Sequence, residues 1–199
     1  NLLLEYAFIV DNTPPLTNLL NYETKYISDK TVSISFSSDP DKKKSICSFD
    51  NKLFDPCESP FKTSDIEDGS HNFSVFSIDL AGNSDLIPLN YNFIVDTKVP
   101  IPSILGKYDT YINKDSISIE FISDDDTSKF LCSLNGEKFI DCNSPFLLEK
   151  LEEKKYSFEV KNYDLAGNYS SKNPKIEFSV DYTPPTSIIQ TAPPLIDTE

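Results

Sequence analysis

The sequence predicts an all-β protein built from small antiparallel sandwiches, and three observations predict it. Apolar and polar residues alternate with a period of two along many short runs, and helical periodicity is almost absent. Turn signals separate these runs: Asp68-Gly69, Asn135-Gly136 and two Ala-Gly-Asn phrases. Finally, the chain repeats itself at a constant offset of 85 residues, so the same short elements recur in the same order.

The offset is carried by long phrases. CSFDNKLFDPCESPF at Cys47–Phe61 returns as CSLNGEKFIDCNSPF at Cys132–Phe146. FIVD at Phe8–Asp11 returns at Phe93–Asp96, and as FSVD at Phe178–Asp181. DLAGN at Asp79–Asn83 returns at Asp164–Asn168, and Asp-x-Thr-Pro-Pro at Asp11–Pro15 returns at Asp181–Pro185. The expected organisation is two full repeats, residues 12–96 and 97–181. Residues 1–11 match the last strand of a preceding repeat, and residues 182–199 the first strand of a following one. The chain thus reads as a window on a longer array.

Each repeat yields about seven runs. One follows the Pro-rich segment, and the second is the Ser-Ile-Ser run (TVSISFS at Thr31–Ser37, SISIEFI at Ser116–Ile122). Two form the cysteine hairpin and one follows Ser-Pro-Phe. The last two flank Ala-Gly-Asn, among them HNFSVFSID at His71–Asp79, YSFEV at Tyr156–Val160 and NYNFIVD at Asn90–Asp96. β-Branched and aromatic residues dominate these runs, as a pleated, half-buried surface requires. About seven short antiparallel strands in about 85 residues argue for a β-sandwich of immunoglobulin type. With no Trp in the chain, Phe and Tyr must fill the middle. The expected core is Phe36, Phe73 and Phe93, with Phe121, Phe158 and Phe178 in the second repeat.

The paired cysteines decide between chemistries. Zinc sites want cysteines two to four residues apart with further Cys or His partners. Here each pair is ten apart, and the one histidine, His71, aligns with Tyr156. A Cys-x-x-Cys redox pair in a βαβ setting is absent. The intervening residues instead contain a turn, Asp50-Asn51 or Asn135-Gly136, and folding back there sets the two cysteines on facing strands. The expectation is a disulfide within each repeat, Cys47–Cys57 and Cys132–Cys142, and hence an oxidising compartment.

Composition excludes several classes of function. The 18 basic residues are all Lys, and the net charge is −14. Such a chain is repelled by nucleic acid and by anionic lipid, and it lacks the guanidinium that reads phosphate and guanine. No apolar run approaches the 18 residues of a membrane span, so no membrane insertion is expected in this segment. No initiator Met or signal peptide is present, as befits an internal fragment. No Ser or Cys nucleophile has a His within a repeated motif, and five glycines make no phosphate loop. A catalytic site is therefore not expected.

Some polar residues are candidate sites. Asp79, Gly82 and Asn83, with Asp164, Gly167 and Asn168, have two readings. The carboxylates and amides could be calcium ligands, or Asp and Asn cap a turn whose glycines supply positive φ. The turn reading is favoured, because calcium takes six or more oxygens and the motif does not assemble them. The acidic turn Asp124-Asp125-Asp126 aligns with Asp39-Pro40-Asp41 and reads as a solvated loop. Asp11, Asp96 and Asp181 stand just before Pro-rich joints, where an inter-domain calcium clamp is a weaker candidate; no other cofactor is expected. Sequons at Asn72 and Asn168 are candidate glycosylation sites on an exported chain. Tyr22, Tyr26, Tyr108 and Tyr111 cluster near the first strands and are candidate binding aromatics.

Taken together, the cysteine phrase, Asp68-Gly69-Ser70-His71 with Phe73 and Val75, Asp79 to Asn83, and Val95-Asp96-Thr97 resemble the Ig-like repeats of large bacterial and archaeal surface proteins. The second repeat departs where Asp-Gly becomes Glu153-Lys154 and His becomes Tyr156. The resemblance implies an extracellular, cell-surface or filamentous protein without a catalytic site. Three functions are expected: a structural spacer in a stalk, surface layer or adhesin shaft; a filament subunit that donates the lone end strand at residues 1–11 to a neighbour; or a module that binds a glycan or protein, which exposed aromatics would favour. The expected partners are neighbouring repeats or copies of the chain, or surface glycans and proteins.

Overall fold

A computed structural model describes residues 7–20, 25–124, 127–188 and 190. Every regular element among them is a β-strand. The chain divides into two compact units. Unit 1 comprises the described residues up to Pro100 together with Tyr163–Tyr169, and unit 2 comprises Ile101–Asn162 with the described residues from Ser170 on.

Unit 1 holds β1 (Asn18–Leu19), β2 (Tyr26–Ile27), β3 (Val32–Ile34), β4 (Phe36–Ser37), β5 (Lys42–Phe49), β6 (Asp55–Cys57), β7 (Phe61–Thr63), β8 (Gly69–Asp79) and β9 (Leu89–Val95). One sheet runs β2-β9-β8-β5-β6, and against it stand the pairs β1-β4 and β3-β7. The expected seven runs appear as these nine segments because two are interrupted. The run after the Pro-rich segment is split into β1 and β2, and the Ser-Ile-Ser run is split at Ser35 into β3 and β4. The first split also corrects an expectation: not every pairing is antiparallel. β1 pairs antiparallel with β4, whereas β2 crosses to the other sheet and pairs parallel with β9. A strand that changes sheets must satisfy its backbone groups on a new neighbour, and the direction of that neighbour sets the sense of the pairing.

The second set repeats this order: β10 (Pro102–Ile104), β11 (Tyr111–Ile112), β12 (Ile117–Ile119), β13 (Phe121–Ser123), β14 (Thr127–Leu134), β15 (Ile140–Cys142), β16 (Phe146–Leu148), β17 (Lys155–Asp164) and β18 (Lys175–Val180). Its large sheet runs β11-β18-β17-β14-β15, again with a parallel edge pair, β11 with β18.

The sequence alternation sets which side chains face inward. Along β8, Phe73, Val75, Ser77 and Asp79 are buried. Phe36, Phe73 and Phe93 form the centre of unit 1, and Phe121, Phe158 and Phe178 that of unit 2. The rings meet in pairs at corresponding places. Phe61 lies 4.9 Å from Phe73, and Phe146 lies 5.4 Å from Phe158. Each buried Phe contributes about 1.5–3 kcal/mol from apolar burial.

The cysteine phrase forms the predicted hairpin. Asp50 and Asn51 have φ of 51° and 56°, and Asn135 and Gly136 have 54° and 74°, the left-handed pair that a tight right-twisting hairpin demands. Cys47 bonds Cys57 and Cys132 bonds Cys142, with Cα atoms 5.7 and 5.8 Å apart.

Residues 7–11 carry no strand. Phe8, Ile9 and Val10 are 84, 95 and 71% exposed, and no ladder partner stands beside them among the described residues. Residues 182–188 likewise carry no strand. The expected end strands otherwise fall in residues 1–6 and 191–199, outside the described residues.

Truncating Phe73 to Ala should lower the stability of the protein by about 3–5 kcal/mol in a urea titration, because the ring is fully buried and its neighbours are strand-bound. Reducing either ten-residue disulfide loop should remove about 2.5–3 kcal/mol on the chain-entropy model, read in the same titration with and without dithiothreitol.

Candidate functional site

β8 ends on Asp79, whose inward parity carries a carboxylate into a fully buried position. A buried charge is tolerated only with several donors around it. The DLAGN turn supplies them. Gly82, at φ 99°, lets the chain double back so that the N–H groups of Gly82 and Asn83 donate to Asp79 Oδ1 at 2.7 and 2.8 Å. The Asn83 side chain donates through Nδ2 to Asp79 Oδ2 at 2.9 Å. It also donates to the carbonyl of Asp11 at 3.0 Å, 72 residues away. The turn is thus a clamp: a buried carboxylate orients an amide, and the amide holds the backbone at the mouth of a Pro-rich segment.

The second copy repeats the arrangement. Asn168 donates from its backbone to Asp164 Oδ1 and from Nδ2 to Asp164 Oδ2, each at 2.8 Å. Asn168 Nδ2 also donates to the Asp96 carbonyl at 2.8 Å, again across 72 residues. Gly167 has φ 87°. Both clamps lie within unit 1, which includes Tyr163–Tyr169.

The three linker aspartates share a different task. The side chains of Asp11, Asp96 and Asp181 each accept the N–H two residues on, at Thr13, Lys98 and Thr183. Such a bond bends the backbone into a turn just before proline. A carboxylate from the loop before the long strand then receives the chain. Asp68 accepts from the Thr97 hydroxyl at 2.9 Å, and Glu153, its counterpart, accepts from the Tyr182 N–H and the Thr183 hydroxyl at 2.9 and 2.7 Å. Glu153 replaces the Asp of Asp68-Gly69 yet keeps its role, because a longer carboxylate reaches the same backbone.

Among the described residues, Asp96 and Asp181 do not join Asp11 in a group of potential ligands. The structure gathers Asp11 with Asp79 and Asp41, whose ligand oxygens lie within 4.8 Å of one another. Asp41 is the residue that sequence reading set aside as solvated. The available signal was its register: it pairs at the 85-residue offset with Asp126, which lies outside the described residues together with Asp125. One oxygen from each carboxylate meets there, three against the six to eight that calcium takes, and those of Asp79 already accept three hydrogen bonds.

The remaining candidates are scattered. Asn72 and Asn168 both use their side-chain amides, Asn72 at the surface on Asn92 Oδ1 at 2.7 Å and Asn168 on the clamp. A sugar on Asn168 would displace one of its two clamp hydrogens. His71 lies between Phe49 and Phe93, with its ring nitrogens 2.9 Å from Asp50 Oδ2 and 2.8 Å from the Glu67 carbonyl. Tyr156 takes the same place in unit 2 and accepts the Glu152 N–H at 2.9 Å. Among the tyrosines, Tyr108 accepts the Glu120 N–H, Tyr26 is half-buried, Tyr111 is 71% exposed, and Tyr22 lies outside the described residues. Tyr111 borders an open groove of about 500 Å³ with Asn135, Lys155 and Glu177. A groove of about 410 Å³ occupies the corresponding place in unit 1, lined by Asp50, Ser70 and Asn92.

Burial alone would raise the pKa of Asp79, but hydrogen bonds from the Asn83 side chain and from the N–H groups of Asn83, Gly82 and Ala81 outweigh it and hold the carboxyl below its usual range. A folded value below the unfolded one contributes stability above about pH 4 that is lost as pH falls through the folded value. Urea titrations should therefore show stability falling below about pH 4, and Asp79→Asn should be less stable at pH 7 with a shallower acid limb. Asn83→Ala should cost about 1–3 kcal/mol, since it strips donors from a buried carboxylate and a linker carbonyl. In a chelating buffer Asp41→Asn should raise the melting temperature, because it removes one of three crowded like charges. A calcium-dependent rise in the parent protein that this variant loses would show the opposite, a cation held there.

No protein-family model and no curated protein matches the chain. Among solved structures it is similar to the fibronectin(III)-like modules of Clostridium thermocellum CbhA, at 16% identity and a TM-score of 0.52, covering 83% of this chain and 94% of that one. It is also similar to a 1.5-MDa bacterial ice-binding adhesin, at 14% identity and a TM-score of 0.42, covering 86% of this chain and 66% of that one. The first likeness shows the fold: this is an all-β chain of immunoglobulin and fibronectin-III type, with a disulfide in each half.

Proposed function

We propose that the chain is a structural repeat segment of an extracellular cell-surface or filament protein, a spacer in a stalk, surface layer or adhesin shaft. In this reading residues 12–96 and 97–181 are successive repeats, flanked by the ends of neighbours at 1–11 and 182–199. One observation carries it: the same carboxylate–amide clamp grips the backbone entering a Pro-rich segment twice, 85 residues apart. Such a device serves chain continuity and has no use for a diffusing substrate. Proline fixes φ in the segments so held, which limits their bending. The disulfides fit an oxidising, extracellular setting. No helix among the described residues is long and apolar enough to cross a membrane.

Strand donation by residues 1–11 finds less support. β9 already stands between β2 and β8, and β18 between β11 and β17, so a donated strand would have to displace the chain's own. A binding module is the second reading, favoured by the exposed Tyr111 ring beside the open groove of unit 2.

Replacing the chain, within its parent protein, by an unrelated pair of sandwiches of equal length should leave surface assembly intact. Loss of attachment that Tyr111→Ala reproduces would sink the spacer reading and favour binding. Under force, reductant should lengthen the unfolding extension by roughly 30 Å per disulfide, the span of ten extended residues less the width of the bridge.

A further inference from the structure

Asn162, near the end of β17, is fully buried, and in the 85-residue register it stands where unit 1 has Ser77. The Ser77 hydroxyl belongs to a closed network. It lies 2.8 Å from Thr17 Oγ1 and 3.3 Å from Ser45 Oγ. Asp85 accepts from the Thr17 N–H, the Thr17 hydroxyl and the Ser77 N–H. Side chains alone satisfy that site.

Unit 2 carries different residues at all three partner positions. Pro102, Phe130 and Ser170 stand at the positions of Thr17, Ser45 and Asp85. The longer side chain of Asn162 reaches elsewhere, donating through Nδ2 to Ser123 Oγ at 2.8 Å and Thr127 Oγ1 at 3.0 Å. Its Oδ1 is buried and accepts nothing. The nearby hydroxyls are otherwise engaged. Ser170 Oγ accepts the Asn162 N–H at 3.3 Å and donates to Asn173 Oδ1 at 3.1 Å. Ser123 Oγ donates to Asp124 Oδ1 at 3.3 Å. Turning the amide over moves the problem without removing it, since its N–H donors would then be the unpartnered atoms.

Buried carbonyl oxygens almost always have a donor, and where the protein provides none an internal water does. A cation is a poor occupant, because one neutral amide oxygen offers neither the charge nor the number of ligands that a cation takes. We propose that unit 2 holds one internal water that donates to Asn162 Oδ1, at a site that the Thr17–Ser45–Ser77–Asp85 network closes in unit 1. The water takes the place of the side-chain partners that unit 1 has at this position. It sits two residues before Asp164, so it hydrates the strand that delivers the buried carboxylate of the second clamp.

A high-resolution crystal structure of the unmodified protein tests this directly, with a water–amide cross-relaxation NMR experiment in solution beside it. The expected result is an ordered water about 2.7–3.2 Å from Asn162 Oδ1 and a water cross-peak to the Asn162 side-chain amide. In Asn162→Ser, which restores the residue of unit 1, that water should be gone or displaced to the new hydroxyl. A protein donor in contact with Oδ1, or an empty space with no cross-peak, would overturn the proposal. A comparable water on Ser77 in unit 1 would overturn the contrast between the copies.

Discussion

A carboxylate buried at the end of the longest strand is the constraint on which much of this structure depends. Asp79 is excluded from water, and ionised carboxylates in such places must be surrounded by donors. Those donors come from the next four residues, so the turn must have one shape. That shape requires a positive φ at Gly82 and places the Asn83 amide beside the Asp11 carbonyl. The buried charge, the tight turn and the fixed entry of a Pro-rich segment are therefore one interaction. Asp164, Asn168 and Asp96 repeat the carboxylate–amide–carbonyl bonds with nearly the same distances, whereas the Gly167 N–H donates to the Asp164 backbone carbonyl at 3.4 Å.

Around this polar device the two copies have kept roles more strictly than residues. Glu153 does for Tyr182 and Thr183 what Asp68 does for Thr97. Tyr156 packs on Phe178 where His71 packs on Phe93, the first pair stacked and the second tilted. Phe54 packs on Phe76 in unit 1, whereas in unit 2 the ring of Phe139 lies 4.4 Å beneath the Lys161 ammonium. In each pair the geometry asks for a ring, a carboxylate or an acceptor at a given place, and more than one residue type meets the demand. The hairpin staple is the exception, because no other residue pair makes its covalent bond.

Surface electrostatics contribute less. The close pairs, Lys154 with Glu152 and Lys175 with Glu177 at 2.8 and 2.7 Å, are solvent-exposed and worth little to stability. The net charge of −14 describes what the surface repels, and stability rests on the aromatic centres, the disulfides and the clamps.

What the sequence by itself determined was everything local or periodic. Alternation placed Phe73, Phe93, Phe158 and Phe178 inside, because side chains on a strand must alternate faces. The Asn-Gly and Asp-Asn turns closed the cysteine hairpins, because the backbone there must adopt positive φ. Tertiary structure decided what depends on distant segments meeting. It split the first strand of each copy between two sheets and made one edge pairing parallel. It brought Asp41 beside Asp11 and Asp79 and joined Asn83 to a carbonyl 72 residues away. It also left Asn162 without the partners that its counterpart Ser77 enjoys. Spacing along a chain fixes which neighbours a residue has in its own strand, but only the packing of sheets fixes which loops and linkers its side chain can reach.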